Sequence, residues 1–99
     1  MFNPYQQEFN TKKHIMENNR YFFAVDLGAT SGRTIIGTLT EGKIQLEELT
    51  RFENNLIETG GHFYWDIFAL YNEIIKGLKL VAKRQLPIVS IGIDTWGVD

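Results

Sequence analysis

The chain has 99 residues, 43% hydrophobic and 13% aromatic, with a formal net charge of -2; this is enough apolar side chain for one compact core and too much for a wholly disordered chain. No stripe of Lys and Arg interleaved with aromatics accompanies that weak negative charge, which excludes the electrostatic footprint of a nucleic-acid binder. Cysteine is absent, which excludes disulfides, thiolate chemistry and cysteine-based metal sites, and no apolar run approaches the roughly 20 residues that span a bilayer.

Residues 1–20, rich in Asn, Gln and Lys and containing Pro4, show no periodicity and no secretory apolar stretch. They read as a mobile N-terminal extension of a cytoplasmic protein, with Met16 a candidate start and residues 21–99 the folded part. From Tyr21 to Leu27 the chain is apolar on both faces, the pattern of a central strand covered above and below. Arg33 to Thr40 is a second β-rich run, and Glu41-Gly42 is a two-residue turn signal into a third, Lys43 to Phe52. Within the third run the alternation at Ile44 and Leu46 slips phase at Leu49, which predicts a bulge or an edge position. Residues 53–62 carry the loop signals Asn54-Asn55 and Gly60-Gly61.

Asp66 is a good N-cap for a helix whose apolar residues Ile67, Leu70, Tyr71, Ile74, Leu78 and Val81 recur at helical spacing, with Lys83 and Arg84 in its last turn. Gly77 inside that helix predicts close packing on the sheet. Pro87 stops the helix, and Ile88 to Ile93 is a further strand with no polar face. A right-handed crossover then sets this strand parallel to the first one, giving an α/β layer in βββαβ order that lacks a helix on its second face.

Two segments at strand carboxyl ends, where open α/β sheets bind ligands, can carry chemistry. In Asp26-Leu27-Gly28-Ala29-Thr30-Ser31-Gly32-Arg33, glycines at 28 and 32 allow close backbone approach and positive φ, amides and hydroxyls between them can meet phosphate oxygens, and Arg33 adds a cation. Asp26 could then hold Mg²⁺, directly or through water. An ordinary tight hairpin with Asp26 capping the turn explains the same residues, and the GK[ST] ending of a Walker loop is missing. In Gly92-Ile93-Asp94-Thr95-Trp96-Gly97-Val98-Asp99 a second carboxylate ends a strand; Trp96 offers a stacking face, Gly97 leaves room and Asp99 is an acceptor for hydroxyls. A loop with a core tryptophan is the plain alternative. His62, His14, the helix cations and the aromatics Phe63, Tyr64, Trp65 and Phe68 read as surface or packing residues.

Taken together, "AVDLGATSGR" and "SIGIDTWGVD", separated by the helix after "YWD", resemble the N-terminal part of the rhamnulokinase branch of the FGGY carbohydrate kinases, within the actin-like ATPase superfamily. The resemblance runs from about Phe23 to Asp99, and DTWGVD is its specific part. It implies a ribonuclease H-like mixed sheet, incomplete here, and ATP- and Mg²⁺-dependent phosphorylation of L-rhamnulose at its 1-hydroxyl. On that likeness Ala29, Thr30, Ser31, Gly32 and Arg33 match the ATP phosphate-binding turn, Gly97 matches a sugar-contacting glycine, Trp96 and Asp99 flank it, and Asp26 lies near the metal. The family's catalytic base and adenosine pocket lie beyond residue 99, so the 99-residue piece is expected to be inactive, and its uncovered sheet face to self-associate. A kinase for a related ketose such as L-fuculose, an actin-like or chaperone-type nucleotide switch, and a small interaction module are the alternatives; a sugar site wants Trp96 to Asp99 and a switch does not.

Overall fold

A computed structural model describes residues 18–97. The N-terminal extension up to residue 17, Met16 within it, and Asp99 lie outside the described residues. Three strands, β1 (Arg20–Leu27), β2 (Ser31–Thr40) and β3 (Lys43–Glu53), form an antiparallel meander. A short hairpin of β4 (Leu56–Thr59) and β5 (His62–Trp65) follows, then helix α1 (Ile67–Lys83) and strand β6 (Ile88–Asp94). The four-stranded sheet runs β3-β2-β1-β6, with β6 parallel to β1, as the crossover argument requires.

Local chemistry explains the turns. Glu41 and Gly42 have φ of 51° and 75°, and Gly60 and Gly61 have 58° and 75°. Left-handed backbone at both central residues is what a two-residue hairpin matched to strand twist needs. The phase slip at Leu49 is a bulge: Thr34 pairs with Thr50 and Ile35 with Glu48, so Leu49 has no partner across the ladder. Asp66 caps α1 by accepting a 3.0 Å hydrogen bond from the Ala69 amide.

One core lies between the sheet and α1, built from Phe23, Val25, Leu27, Ile36, Leu70 and Val81. Gly77 sits where the helix crosses β2 and β1. A methyl group there would stand 2.7 Å from Thr34 Oγ1 and 3.0 Å from Phe23 Cζ, so hydrogen is the only side chain this crossing accepts. Thr34 is fully buried beneath it and shares a 2.5 Å hydroxyl–hydroxyl hydrogen bond with Thr50.

Four expectations are corrected. The stretch read as a loop from residue 53 to 62 contains a paired strand, because Gly60-Gly61 folds Leu56–Thr59 back on His62–Trp65; four-residue strands are too short to declare a pattern. The aromatics at 63–68 do not all pack, since Phe63 of β5 and Phe68 of α1 are 66% and 80% exposed. Strand β1 is covered on one face only: Phe23, Val25 and Leu27 are buried while Phe22, Ala24 and Asp26 remain partly open. Likewise β6, expected to be buried, exposes Ile91 and Ile93 to 54% and 58%. The helix leans toward the other edge, where Arg84 Nη1 donates to Glu47 Oε2 of β3 at 2.6 Å, and this leaves β6 without a cover.

Candidate functional site

Parallel pairing of β1 and β6 sets Asp26 level with Asp94, and antiparallel pairing of β1 and β2 sets Arg33 directly across from Asp26. Strand alternation turns all three side chains to the face away from α1. Arg33 donates through Nη2 at 2.9 Å and Nε at 3.1 Å to the same oxygen, Asp26 Oδ2. That guanidinium, with a further hydrogen bond from Asp94, holds the Asp26 carboxyl below the usual carboxylate range. Asp94 moves the opposite way, raised above its ordinary value chiefly by the neighbouring Asp26 carboxyl. A shallow groove of about 390 Å³ opens beside them, lined by Ala24, Asp26, Ile35, Gly92 and Asp94.

The turn after β1 is built tightly. The Gly28 amide donates to the Ser31 carbonyl at 2.8 Å and closes it, while Ala29 and Thr30 at its tip are exposed. Neither Gly28 nor Gly32 has the positive φ expected of it. Space is their reason instead: a methyl at Gly28 would meet the Ser31 carbonyl at 2.8 Å, and one at Gly32 would enter the Phe52 ring at 2.5 Å. Phe52 at the end of β3 thus lies against the turn.

Asn54, one residue past β3, secures the turn from the same side. Its amide donates to the Thr30 carbonyl at 3.0 Å and its side-chain Nδ2 to the Gly28 carbonyl at 2.9 Å. The residue is 6% exposed, and its Oδ1 is buried with no hydrogen-bond partner, a situation that costs about 1–3 kcal/mol. The sequence reading missed this residue, taking Asn54-Asn55 as a loop signal. The available clue was its place one residue after a strand that pairs with β2, the strand leaving the turn.

On the helix side of the same rim, Trp96 packs on the core and stands 4.4 Å, centroid to centroid, from Trp65 at an interplanar angle of 48°. The two indoles, with Leu27, Leu70, Tyr71 and Ile74, line an apolar cleft of about 360 Å³. Trp96 is therefore partly a core residue. A methyl at Gly97 would meet nothing within 4 Å, so that position is open. The structure thus brings Asp26, Asp94, Arg33 and the 29–32 turn together on one rim and sets Trp96 and Gly97 next to them, around the other side of the sheet edge. Among the described residues no group of three His, Asp or Glu side chains is close enough to hold a metal ion, so a cation here would meet two carboxyls and water. No helix of the described residues is long and apolar enough to cross a membrane.

No protein-family model matches the chain. Curated relatives do: it is 73% identical over 78 residues to a rhamnulokinase of Bacteroides thetaiotaomicron, a match covering 79% of this chain and 16% of that protein. Against rhamnulokinases of Oceanobacillus iheyensis and Halalkalibacterium halodurans the identities are 51% over 76 residues and 53% over 79, covering 77% and 80% of this chain. The chain spans about a sixth of the length of these relatives, 16% and 17%. Among solved structures, a Ppx/GppA family member of Aquifex aeolicus matches with a TM-score of 0.56 at 16% identity, covering 78% of this chain and 26% of that one. That likeness is one of fold, and it agrees with the mixed sheet that the family resemblance implies. Over the four-fifths of its length that aligns, the chain is similar to curated rhamnulokinases.

Proposed function

We propose that the chain is the N-terminal part of an ATP-dependent kinase that transfers the γ-phosphoryl group to the 1-hydroxyl of L-rhamnulose. The observation that carries this reading is the level placement of Asp26 and Asp94 on adjacent parallel strands, beside an exposed turn tip at Ala29 and Thr30. Phosphoryl transfer rests on positioning and charge neutralisation, and this rim offers both. Ala29, Thr30, Ser31 and Gly32 cradle the donor phosphates, and Arg33, once drawn from Asp26, supplies positive charge to them. Asp26 holds Mg²⁺ through water, and the Asp94 carboxyl beside it is a second acidic group facing the cation. Trp96, Gly97 and Asp99 form the sugar side.

The base that accepts the sugar proton is assigned to sequence outside this chain, so the 99-residue piece alone has no turnover. Its open face, where Phe22, Ala24 and Ile35 are only partly covered, favours self-association of the piece. The longer polypeptide carrying this chain, assayed for ADP release, is expected to respond to L-rhamnulose more than to L-fuculose and to need Mg²⁺. Preference for L-fuculose would reassign the sugar. ADP release independent of any sugar would replace the kinase with a nucleotide switch.

A further inference from the structure

We propose that Asn54 is a positioning residue for the phosphate-binding turn, acting through the Gly28 and Thr30 carbonyls; this rests on the kinase reading above. A trans peptide is rigid and planar, so fixing a carbonyl also fixes the N–H on its far side. Asn54 Nδ2 holds the Gly28 carbonyl at 2.9 Å and thereby turns the Ala29 N–H away from Asn54. Asn54 N holds the Thr30 carbonyl at 3.0 Å and orients the Ser31 N–H in the same manner. Two amides of the segment matched to the phosphate turn are therefore set by one residue 23 to 25 positions downstream, before any ligand arrives.

Two features separate this from ordinary loop anchoring. First, the side-chain bond is additional to the strand ladder: the backbone bond to Thr30 merely extends the β2–β3 pairing, whereas the Nδ2 bond reaches across to the first residue of the turn. Second, Asn54 is buried with Oδ1 unpartnered, so this site keeps an amide where an apolar side chain of similar size would fill the space without stranding an acceptor. An amide kept there for its donor has a use at Gly28. Because the exposed tip residues Ala29 and Thr30 have little packing of their own, the orientation of their peptide planes depends on this clamp.

The test uses the full-length kinase carrying this chain and the variants Asn54→Asp, which keeps the shape and removes the donor, Asn54→Ala, and Asn55→Asp as an exposed neighbouring control. Binding of a non-hydrolysable ATP analogue with Mg²⁺ is measured by calorimetry well below each melting temperature, alongside KM for ATP and for L-rhamnulose. Asn54→Asp is expected to weaken analogue binding and raise KM for ATP about tenfold, equivalent to about 1.4 kcal/mol, with KM for the sugar unchanged and Asn55→Asp like the parent. Analogue binding equal to the parent in Asn54→Asp overturns the proposal, even if the melting temperature falls. Equal losses for both substrates, or the same loss in Asn55→Asp, also overturn it, since those describe general loosening. Failure of the parent itself to bind the analogue defeats the kinase reading and this inference with it; an intact parent with an unaffected variant defeats this inference alone.

Discussion

The two ends of the rim are built to different standards. At the β1–β2 turn, Phe52 packs on Gly32, Asn54 holds two carbonyls, and Gly28 closes the turn on Ser31. Past the end of β6, Trp96 stands 4.4 Å, centroid to centroid, from Trp65, while Ile91 and Ile93 face solvent and a methyl at Gly97 would meet nothing within 4 Å. The first region is held by its own packing and hydrogen bonds; the second is open to solvent. Preorganised amides are most useful where charge must be met without rearrangement, as at a phosphate donor.

Substitutions matched across that divide test it. Phe23 and Ile91 are register partners on neighbouring strands, one wholly buried and the other 54% exposed. Phe23→Ala is expected to cost about 3–5 kcal/mol in urea denaturation, whereas Ile91→Ala costs under about 1 kcal/mol. Comparable losses would mean that β6 is packed as well as β1. A smaller contrast comes from the glycines: Gly32→Ala forces the Phe52 ring to move and is expected to cost about 1–3 kcal/mol, outweighing the gain of about 0.5–1 kcal/mol from restricting the unfolded chain. Gly97→Ala is expected to stay within about 0.5 kcal/mol of the parent.

The smallest effect is the pH dependence of the carboxyl pair. Asp94 binds its proton more tightly folded than unfolded, so its contribution is complete below the ordinary carboxylate value of 3.8 and is lost as pH rises through the raised one. Asp26, held low by Arg33, contributes above that ordinary value and loses its contribution as pH falls through the lowered one. Glu47, held low by Arg84, adds a rise in the same region, so the difference between parent and Asp94→Asn is the readout: the parent should lose stability relative to the variant as pH rises above the ordinary value. A difference that stays flat or rises through that interval would show that Asp26 does not raise Asp94.

Much of this was legible in the residues because the signals were local or periodic. The helix declared itself by the spacing of Leu70, Ile74, Leu78 and Val81 and by the Asp66 cap, and the bulge by the phase of Leu49. Gly77 marked its own crossing, since nothing but close packing explains a glycine inside so regular a helix. The β4–β5 hairpin escaped because four residues hold too few alternations to separate a strand from a loop. Burial of β6 was misjudged for a different reason: its apolar sequence reports what a covered strand needs, while the cover depends on where α1 leans, which the Arg84–Glu47 contact shows only in three dimensions. At the site, Asp26 and Asp94 could be placed on one rim from topology alone. The pairing of Arg33 with Asp26 follows from register, which the sequence states only once the turn length is fixed. Asn54 acts across more than twenty residues of chain and carries no local mark.

The most direct test is a crystal structure of the longer polypeptide with a non-hydrolysable ATP analogue and Mg²⁺. Phosphate oxygens within hydrogen-bonding distance of the Ala29 to Gly32 amides, with the cation's water shell on Asp26, are the predicted result. Phosphates bound elsewhere, with that turn facing bulk solvent, would contradict it.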